Sequence, residues 1–411
     1  MTATPVPLRR NRDFLLLWSG LAVSVLGSRI SATAYPLLVL ALTGSPADAG
    51  LVGFLATLPW LLFQLPAGAL VDRWDRRRVM LVADAARGLA LASVVAALAT
   101  GRLALWQLMV VAFLEGTLFV FFNLAEHAAV RHVVPRTQLP TALSQNEARV
   151  RGAGLLGQPL GGVLFDLGRA MPFLADALSY AVSFVSVSLI RSRFRDETEE
   201  EPGALRRLPS EIGEGVAWLW NQPFLRAASI LVAGSNFLFQ ALSLTLIVVV
   251  RDGGASGSTI GIMLAGAGAG GVLGSLAAPW LQRRLTGKAV VIGANWVWAV
   301  FLPAMLLTQN PYALGALYAA MAFVGPAWNV VIGAYQLSIT PDRLLARVSS
   351  VETLVAYGAI PLGSLAGGFA VQALGGLGAI AALAGWMIVV ALAATATPSI
   401  RRAPRLLPAS A

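Results

Sequence analysis

Two stretches of the chain decide its fold: GALVDRWDRRR at residues 68–78 and GSLAAPWLQRR at residues 274–284. They lie 206 residues apart, half the length of the 411-residue chain, and they share a glycine, a leucine, a tryptophan and two adjacent arginines at matching positions. The same offset relates VPRTQLPTALS at 134–144 to TPDRLLARVSS at 340–350. Because two separate pairs of segments have the same offset, the sequence indicates two similar halves arranged as a parallel repeat.

The composition of the chain is that of a membrane protein. Hydrophobic residues make up 57% of it and charged residues 12%, whereas soluble domains carry about 25% charged residues. So few charges do not cover the surface of a soluble fold, which excludes an ordinary soluble enzyme and a disordered protein. The net charge is +10. In a membrane protein, excess lysine and arginine usually lie in the cytoplasmic loops, so we do not interpret this charge as a sign of nucleic-acid binding. The chain has no cysteine, and therefore no disulfide and no thiolate metal site.

Apolar segments of about 20 residues are long enough to cross a bilayer as helices. Twelve segments meet that requirement, so we predict an all-α membrane protein with twelve transmembrane helices; the first segment is too long for a cleavable signal peptide. The segments are 14–42, 49–71, 79–100, 103–129, 140–165, 172–190, 224–250, 258–281, 289–308, 312–337, 347–374 and 377–397. A long connection at 191–223, with the acidic run DETEEE, separates a six-helix bundle at 1–190 from a second one at 224–411.

The distribution of lysine and arginine predicts the orientation in the membrane. If the N-terminus is cytoplasmic, the inside segments carry 22 of these residues and the outside loops carry 3. We therefore expect the protein in the inner (plasma) membrane with both termini in the cytoplasm.

The stretch GALVDRWDRRRVML, residues 68–81, resembles the loop 2–3 signature of the major facilitator superfamily, Gly-x-Leu-x-Asp-Arg-x-Gly-Arg-Arg, with Asp75 in place of the second glycine. Four further segments resemble the branch of that superfamily that includes macrolide-efflux proteins and the enterobactin exporter. They are VVPRTQLP (133–140), FLADALSYAVSF (173–184), EIGEGVAWLWNQPFLRA (211–227) and RVSSVETLVAYGAIPLGSLAGG (347–368). The resemblance implies the major facilitator fold, in which two six-helix bundles surround a central cavity that opens alternately to the two sides.

The resemblance also implies a role for the 68–78 loop. In the superfamily the matching Asp and Arg latch the two halves together in the outward-open state, so Asp72 is expected to meet the N-terminal end of span 11, near 347–350. The residues implied in this conformational latch are Gly68, Asp72, Arg73, Arg76 and Arg77. For Arg77 and Arg78 the alternative is a basic loop that only fixes the membrane orientation.

Charged residues inside the spans are candidate functional residues, because each costs at least about 2.5–3.5 kcal/mol at the bilayer centre unless it is paired or hydrated. Arg29 lies near the middle of span 1 and Glu115 near the middle of span 4. The resemblance places both spans at the cavity, so we expect a mid-membrane pair in which Glu115 binds and releases protons. The alternatives are a structural ion pair or a hydrated cavity wall. Ala112 stands where many proton-driven drug exporters carry an arginine, which leaves Glu115 as the substitute.

Two other pairs of opposite charge share a helix face in the inner half of the membrane. Asp84 and Arg87 are three residues apart in span 3, and Glu147 and Arg151 are four apart in span 5. We expect Asp84 and Arg87 to act as a structural or gating pair, and Glu147 and Arg151 to form the inner gate. Three more acidic residues near span ends are interpreted as interfacial residues that snorkel to water: Glu126, Asp176 and Glu352.

Polar and aromatic side chains at mid-depth are the candidates for contact with substrate. They are Tyr35, Gln64, Asn236, Gln240, Trp328 and Asn329. A cavity with few charges, several rings and scattered amides suits an amphiphilic or hydrophobic compound better than a sugar.

Other patterns exclude some kinds of site. GAGAGG at 266–271 fits the spacing of a dinucleotide-binding loop, but it lies inside span 8 and is followed by cationic residues, so with Gly274 it predicts close helix packing. The two histidines, His127 and His132, have no third ligand in view, so we expect no zinc site. With no Walker lysine motif, we expect no cofactor and no direct use of ATP.

The sequence therefore predicts a secondary transporter, not an enzyme. We expect it to act as a monomer and to export a small amphiphilic or hydrophobic compound, such as a drug or siderophore, by proton antiport. Its partners would be this substrate, protons and membrane lipid, with no nucleic acid. The alternatives are proton-coupled uptake, lipid or lysolipid flipping between leaflets, and a non-transporting membrane sensor or scaffold.

Overall fold

The structure is a computed structural model that describes residues 7–71, 73–192, 194 and 204–402. Within these ranges the chain is almost entirely helical and contains no β-strand. The first six helices are α1 (Arg12–Thr43), α2 (Pro46–Val71), α3 (Arg76–Ala99), α4 (Leu105–Val133), α5 (Leu139–Leu167) and α6 (Met171–Ser188). The next seven are α7 (Ala204–Trp220), α8 (Pro223–Asp252), α9 (Gly257–Arg284), α10 (Gly287–Ala304), α11 (Pro311–Ile339), α12 (Asp342–Ala396) and α13 (Pro398–Arg401).

All twelve predicted spans correspond to helices. In the described ranges, ten helices are long and apolar enough to cross a membrane. One of these, α12, consists of two helices that meet at Gly375, where a φ of 70° interrupts the helical path and favours glycine. The predicted span that is absent from the ten is α5, which has 29 residues but carries Glu147, Arg149 and Arg151 in its first half. With α12 counted as two helices and α5 added, the predicted number of twelve is reached.

The internal repeat is visible in the bounds of two helices. α4 runs from Leu105 to Val133 and α11 from Pro311 to Ile339, so each has 29 residues. Both ends of α11 lie 206 residues after the corresponding ends of α4, the offset that relates the two loop motifs in the sequence. The duplication therefore extends from the loops to the fourth helix of each half.

The chain divides into two compact units. The first comprises residues 1–42 and 55–205, and the second comprises residues 43–54 and 206–411. Residues 43–54 belong to the second unit because the connection between α1 and α2 and the first turns of α2 pack on α12; there, Ser45 Oγ donates a hydrogen bond of 3.4 Å to Gln372 Oε1. The predicted division into bundles at 1–190 and 224–411 stays a prediction.

In the second unit, α9 and α11 are in backbone contact through glycines. A Cβ atom at Gly270 or Gly274 would lie 2.0 Å from the carbonyl oxygen of Ala319 or Phe323. Such a distance is far below van der Waals contact, so only glycine fits these positions. The interpretation of this glycine-rich segment as a helix-packing motif is thereby confirmed.

The predicted linker contains a helix that the span count did not anticipate. α7 carries Glu214, which binds two arginines of the first turns of α12: Arg343 Nη1 lies 3.0 Å from Glu214 Oε1, and Arg347 Nη1 donates to Glu214 Oε2. The next residue, Gly215, lies against the Arg347 carbonyl, where a Cβ atom would be 2.9 Å from the oxygen. α7 is therefore held on α12 within the second unit, whereas the acidic run at 196–201 lies outside the described residues.

Candidate functional site

The first unit contains four ionisable side chains that are close together and almost without solvent. These are Asp84 and Arg87 of α3, Glu115 of α4 and Asp176 of α6, which we call the buried charge cluster. Their exposed fractions are 1%, 3%, 9% and 0%. Because burying a charge without compensation is costly, the polar contacts of each side chain decide which charges the cluster holds.

One face of α1 supplies hydroxyl groups to the cluster. Ser28, Ser31 and Tyr35 are spaced three and four residues apart, so their side chains point the same way. Close approach of α6 to this face depends on Gly27, where a Cβ atom would lie 2.2 Å from Ser179 Oγ and 2.6 Å from Asp176 Oδ1. A glycine at this position therefore lets the polar face of α6 reach α1.

Glu115 accepts hydrogen bonds from two tyrosines. Tyr35 Oη donates to Glu115 Oε2 at 2.5 Å, and Tyr180 Oη lies 3.3 Å from Glu115 Oε1. Each oxygen of the Glu115 carboxyl group therefore has a tyrosine hydroxyl as its donor.

Arg87 is held by rings and hydroxyl groups. Its guanidinium carbon lies 4.1 Å from the centroid of the Tyr180 ring and 5.4 Å from that of Phe119, both within the range of cation–π attraction. Arg87 Nη2 donates to Ser28 Oγ at 3.2 Å and to Tyr180 Oη. The guanidinium supplies one positive charge to the cluster, near Glu115 but bridged to it by Tyr180.

The two aspartates differ from each other in their polar contacts. Asp176 contacts Ser31 Oγ at 2.5 Å and Ser179 Oγ at 3.1 Å. Both carboxyl oxygens of Asp84 lack a hydrogen-bond donor, although Ser183 is its polar neighbour. Across the described part of the chain, none of the three carboxyl groups of the cluster forms an ion pair within 4.0 Å.

The partner of Glu115 differs from the one that the sequence suggested. Arg29 forms no ion pair with Glu115 in the described residues, and its side chain lies at the protein surface. Arg29 follows Ser28, so it points about 100° away from the hydroxyl face, and its Cβ faces Gly157 of α5. Arg87 is instead connected to Glu115 through the Tyr180 hydroxyl, and in the described residues it forms no ion pair within 4.0 Å with Asp84.

The predicted gating pair of α5 is on the surface, and a buried pair lies beside it. Arg151 Nη2 is 3.7 Å from Glu147 Oε2, with side chains 47% and 71% exposed. Arg149 Nη2 is 2.5 Å from Glu126 Oε1, with side chains 4% and 7% exposed. Glu126 is therefore the buried partner of an arginine, not a residue that snorkels to water.

The predicted substrate contacts are in several environments. Gln64 is half-buried and Asn329 is exposed. Asn236 Nδ2 donates to the Ala356 carbonyl at 2.7 Å and Gln240 Nε2 to Ser364 Oγ at 2.9 Å, so both amides tie α8 to α12. Trp328 is 1% exposed. Its ring is stacked 5.4 Å from that of Trp298, which places it in the aromatic core of the second unit.

The loop that was assigned to the latch is only partly described. Asp72 lies outside the described residues, Gly68 is half-buried and Arg73 is exposed. Asp75 caps α3 by accepting hydrogen bonds from the backbone N–H groups of Arg77 at 2.9 Å and Arg78 at 3.3 Å, which explains an aspartate in place of the second motif glycine. The other two latch residues bind within the first unit: Arg76 Nη1 lies 2.7 Å from His132 Nε2, and Arg77 donates to the Ser188 carbonyl.

Sequence reasoning missed the contribution of α6. Asp176 was interpreted as an interfacial residue, yet it is completely buried. A signal was present, because Asp176, Ser179, Tyr180 and Ser183 recur every three or four residues and form a polar stripe on an apolar helix. Such a stripe in a membrane span predicts a partner surface inside the protein.

Comparison with known proteins gives consistent results over the whole chain. A family model described as transmembrane secretion effector matches residues 2–404. The multidrug efflux pump Tap of Mycolicibacterium fortuitum is 28% identical over 408 residues, covering 96% of this chain and 97% of its own. Macrolide efflux protein A of Streptococcus pyogenes is 27% identical over 232 residues, 55% of each chain. Among solved structures, a variant of the nucleoside transporter NupG aligns with a TM-score of 0.74 at 14% identity, covering 93% of this chain and 99% of that one.

Proposed function

Because the chain belongs to the transmembrane secretion effector family of the major facilitator superfamily, we propose that it exports small amphiphilic or hydrophobic compounds across the plasma membrane in exchange for protons. Two relatives carry the names of a multidrug and a macrolide efflux pump, which supports export and this class of substrate. The proposal includes cytoplasmic termini and a monomeric transporter.

The observation that carries the proton-coupling part of the proposal is the buried charge cluster. It contains three carboxyl groups and one guanidinium, all at most 9% exposed. A membrane protein that needed only structural support would gain more from apolar side chains at these positions. Ionisable groups are retained there when they have a function, and in transporters that function is commonly proton transfer.

Glu115 is the proposed coupling residue, and Tyr35 connects it to the proposed substrate site. Tyr35 was predicted to contact substrate, and its hydroxyl donates to Glu115. A substrate that binds Tyr35 removes or redirects this donor, which makes the Glu115 carboxylate less stable and favours uptake of a proton. Proton binding and substrate binding thus depend on the same hydroxyl group.

The other assignments from the sequence remain part of the proposal. They are the latch formed by Gly68, Asp72, Arg73, Arg76 and Arg77, the gating role of Glu147 and Arg151, and contact of substrate with Gln64 and Asn329. Charge compensation of Glu115 is reassigned from Arg29 to Arg87, which contacts Glu115 through the Tyr180 hydroxyl.

The proposed function is tested in liposomes that contain the purified protein and a pH-sensitive dye. A gradient of a macrolide or of ethidium should drive proton movement in the opposite direction in the wild type. Glu115→Gln should bind the same compounds and exchange them downhill, but a pH gradient should no longer accumulate them. One pH unit corresponds to about 1.4 kcal/mol per proton, so loss of one-proton coupling should lower the accumulation ratio about tenfold for each unit of the imposed gradient.

Asp252→Asn is the matched control, because Asp252 is an exposed carboxyl at the end of α8. It should behave as the wild type in both assays. Proton movement in the same direction as substrate would indicate uptake instead of export. Continued pH-driven accumulation in Glu115→Gln would remove Glu115 from the coupling mechanism.

A further inference from the structure

A basic cavity lies at the end of the first unit where α1 begins and α4 ends. It has a volume of about 630 Å³ and is lined by residues 10–13, residues 132–135 and Arg191. We propose that this cavity binds the phosphate group of an acidic phospholipid through Arg10, Arg12 and Arg191. The proposal goes beyond the proposed function and requires neither export nor proton coupling.

Two polar side chains fasten the walls of the cavity to each other. Asn11 Nδ2 donates to the Val133 carbonyl oxygen at 2.8 Å, and Asn11 Oδ1 accepts from the backbone N–H of Phe14 at 3.1 Å. Asp13 Oδ2 accepts from the backbone N–H of Ser192 at 2.9 Å and from Ser192 Oγ at 2.5 Å. These bonds join the start of α1 to the end of α4 and to the residues after α6, so the cavity has a fixed backbone frame.

Three guanidinium groups line this frame without a carboxylate partner. Arg10, Arg12 and Arg191 are exposed, and within the described ranges none of them forms an ion pair within 4.0 Å. The carboxyl group on the lining belongs to Asp13. Its oxygens accept from Ser192 and, at 3.4 Å, from the backbone N–H of Arg191, so this carboxylate is bound to the backbone and not to a guanidinium.

His132 contributes a ring to the wall and no further charge. Arg76 Nη1 lies 2.7 Å from His132 Nε2. A guanidinium has only donors, so this ring nitrogen accepts and the imidazole is neutral. Three arginines and one aspartate therefore leave a surplus of two positive charges on the lining, and a cavity lined by charge of one sign concentrates counter-ions.

The shape, the donors and the place of the cavity favour a lipid phosphate. The volume lies within the range of about 300–1,000 Å³ that is usual for small-molecule sites. Arginine presents its donors in a fork that matches the oxygens of a phosphate group. The cavity is at the ends of α1, α4 and α6, all long and apolar enough to cross a membrane. Basic pockets between transmembrane helices bind the headgroups of acidic lipids.

Basic residues at the ends of spans also fix the orientation in the membrane, for which their number matters and their arrangement does not. Arg9 and Arg131 separate the two roles, because they are exposed next to Arg10 and His132 but do not line the cavity. A double variant at these two positions removes the same charge from the same end of the bundle. It is therefore the matched control for a double variant inside the cavity.

Native mass spectrometry of the purified protein in a neutral detergent measures its affinity for phosphatidylglycerol and for phosphatidylcholine with the same acyl chains. The wild type should bind phosphatidylglycerol more tightly. Each arginine near an acidic headgroup contributes about fivefold, so Arg12→Gln with Arg191→Gln should lower the affinity for phosphatidylglycerol about 25-fold. Arg9→Gln with Arg131→Gln should bind it as the wild type does. Arg10→Gln, with an expected loss of about fivefold, keeps the test open if the double variant in the cavity does not fold.

The outcomes do not depend on transport, so they separate this proposal from the proposed function. Equal affinity of the wild type for the two lipids, or an equal loss in both double variants, overturns the proposal. Displacement of phosphatidylglycerol by an equal concentration of inorganic phosphate would assign the cavity to the free ion and overturn the lipid as its ligand.

The chain itself supplies another source of negative charge, because the acidic run at 196–201 begins five residues after Arg191. The same lipid titration is therefore repeated with a variant that combines Glu199→Gln, Glu200→Gln and Glu201→Gln. A preference for phosphatidylglycerol in the wild type that this variant retains supports the proposal. A preference that is present only in this variant would show that the acidic run occupies the cavity, and would overturn it.

Discussion

The two arginines at positions 149 and 151 of α5 allow a sharp test of how burial sets the value of an ion pair. Arg149 is paired with Glu126 at 2.5 Å, with side chains 4% and 7% exposed. Arg151 is paired with Glu147 at 3.7 Å, with side chains 47% and 71% exposed. Arg149→Met removes a cation and leaves the Glu126 carboxylate buried without its partner, which costs about 3–5 kcal/mol. Arg151→Met breaks an exposed pair, which costs about 0–1 kcal/mol.

The free energy of unfolding is measured by titration with SDS in mixed micelles, for both variants and the wild type. The double variant Arg149→Met with Glu126→Gln should recover most of the loss, because no uncompensated charge remains. If Arg149→Met and Arg151→Met destabilise the protein equally, the difference in burial does not determine the value of these pairs. Additive losses in the double variant would show that Arg149 and Glu126 do not interact.

Two further predictions concern helix contacts in the second unit. Gly270→Val should reduce the yield of monodisperse protein in size-exclusion chromatography, because a Cβ atom at this position would lie 2.0 Å from the Ala319 carbonyl oxygen. Gly271→Ala should be tolerated, because no atom lies within 4 Å of the position of its Cβ. Equal yields of the two variants would contradict the backbone contact. Glu214→Gln should release α7 from α12, because it weakens the bond between residue 214 and Arg347. Trypsin should then cleave within α7 faster than in the wild type. An unchanged cleavage rate would show that the charge of Glu214 does not hold the helix.

The fold was largely predictable because membrane spans follow from length and composition. A bilayer requires long apolar segments, and the sequence contains twelve of them. The structure has a helix at each, and the offset of 206 residues between the loops recurs at the ends of α4 and α11. The helix α7 was missed since it is not apolar enough to be a span. It is amphipathic and is held on α12 by Glu214, a contact that no local pattern specifies.

The candidate site was predictable only in part, because burial depends on which face of a helix meets its neighbours. Glu115 was identified from its depth in the membrane alone. Arg29 was predicted as the partner of Glu115 from its depth as well, but the face of α1 that reaches the cluster carries Ser28 and Tyr35. Asp176 was judged by its position near a span end, and its burial follows from close packing at Gly27, which only the three-dimensional structure shows.

The contact between α9 and α11 has a consequence for motion. Glycines one turn apart bring the two backbones together, so no side chain lies between them to change rotamer or slide. We therefore expect the two helices to move as one rigid body. In the second unit we therefore expect movement where helices meet through long side chains, such as the bonds of Glu214 to Arg343 and Arg347. Exposed ion pairs of this kind are worth only about 0–1 kcal/mol, and these lie where the linker enters the second unit.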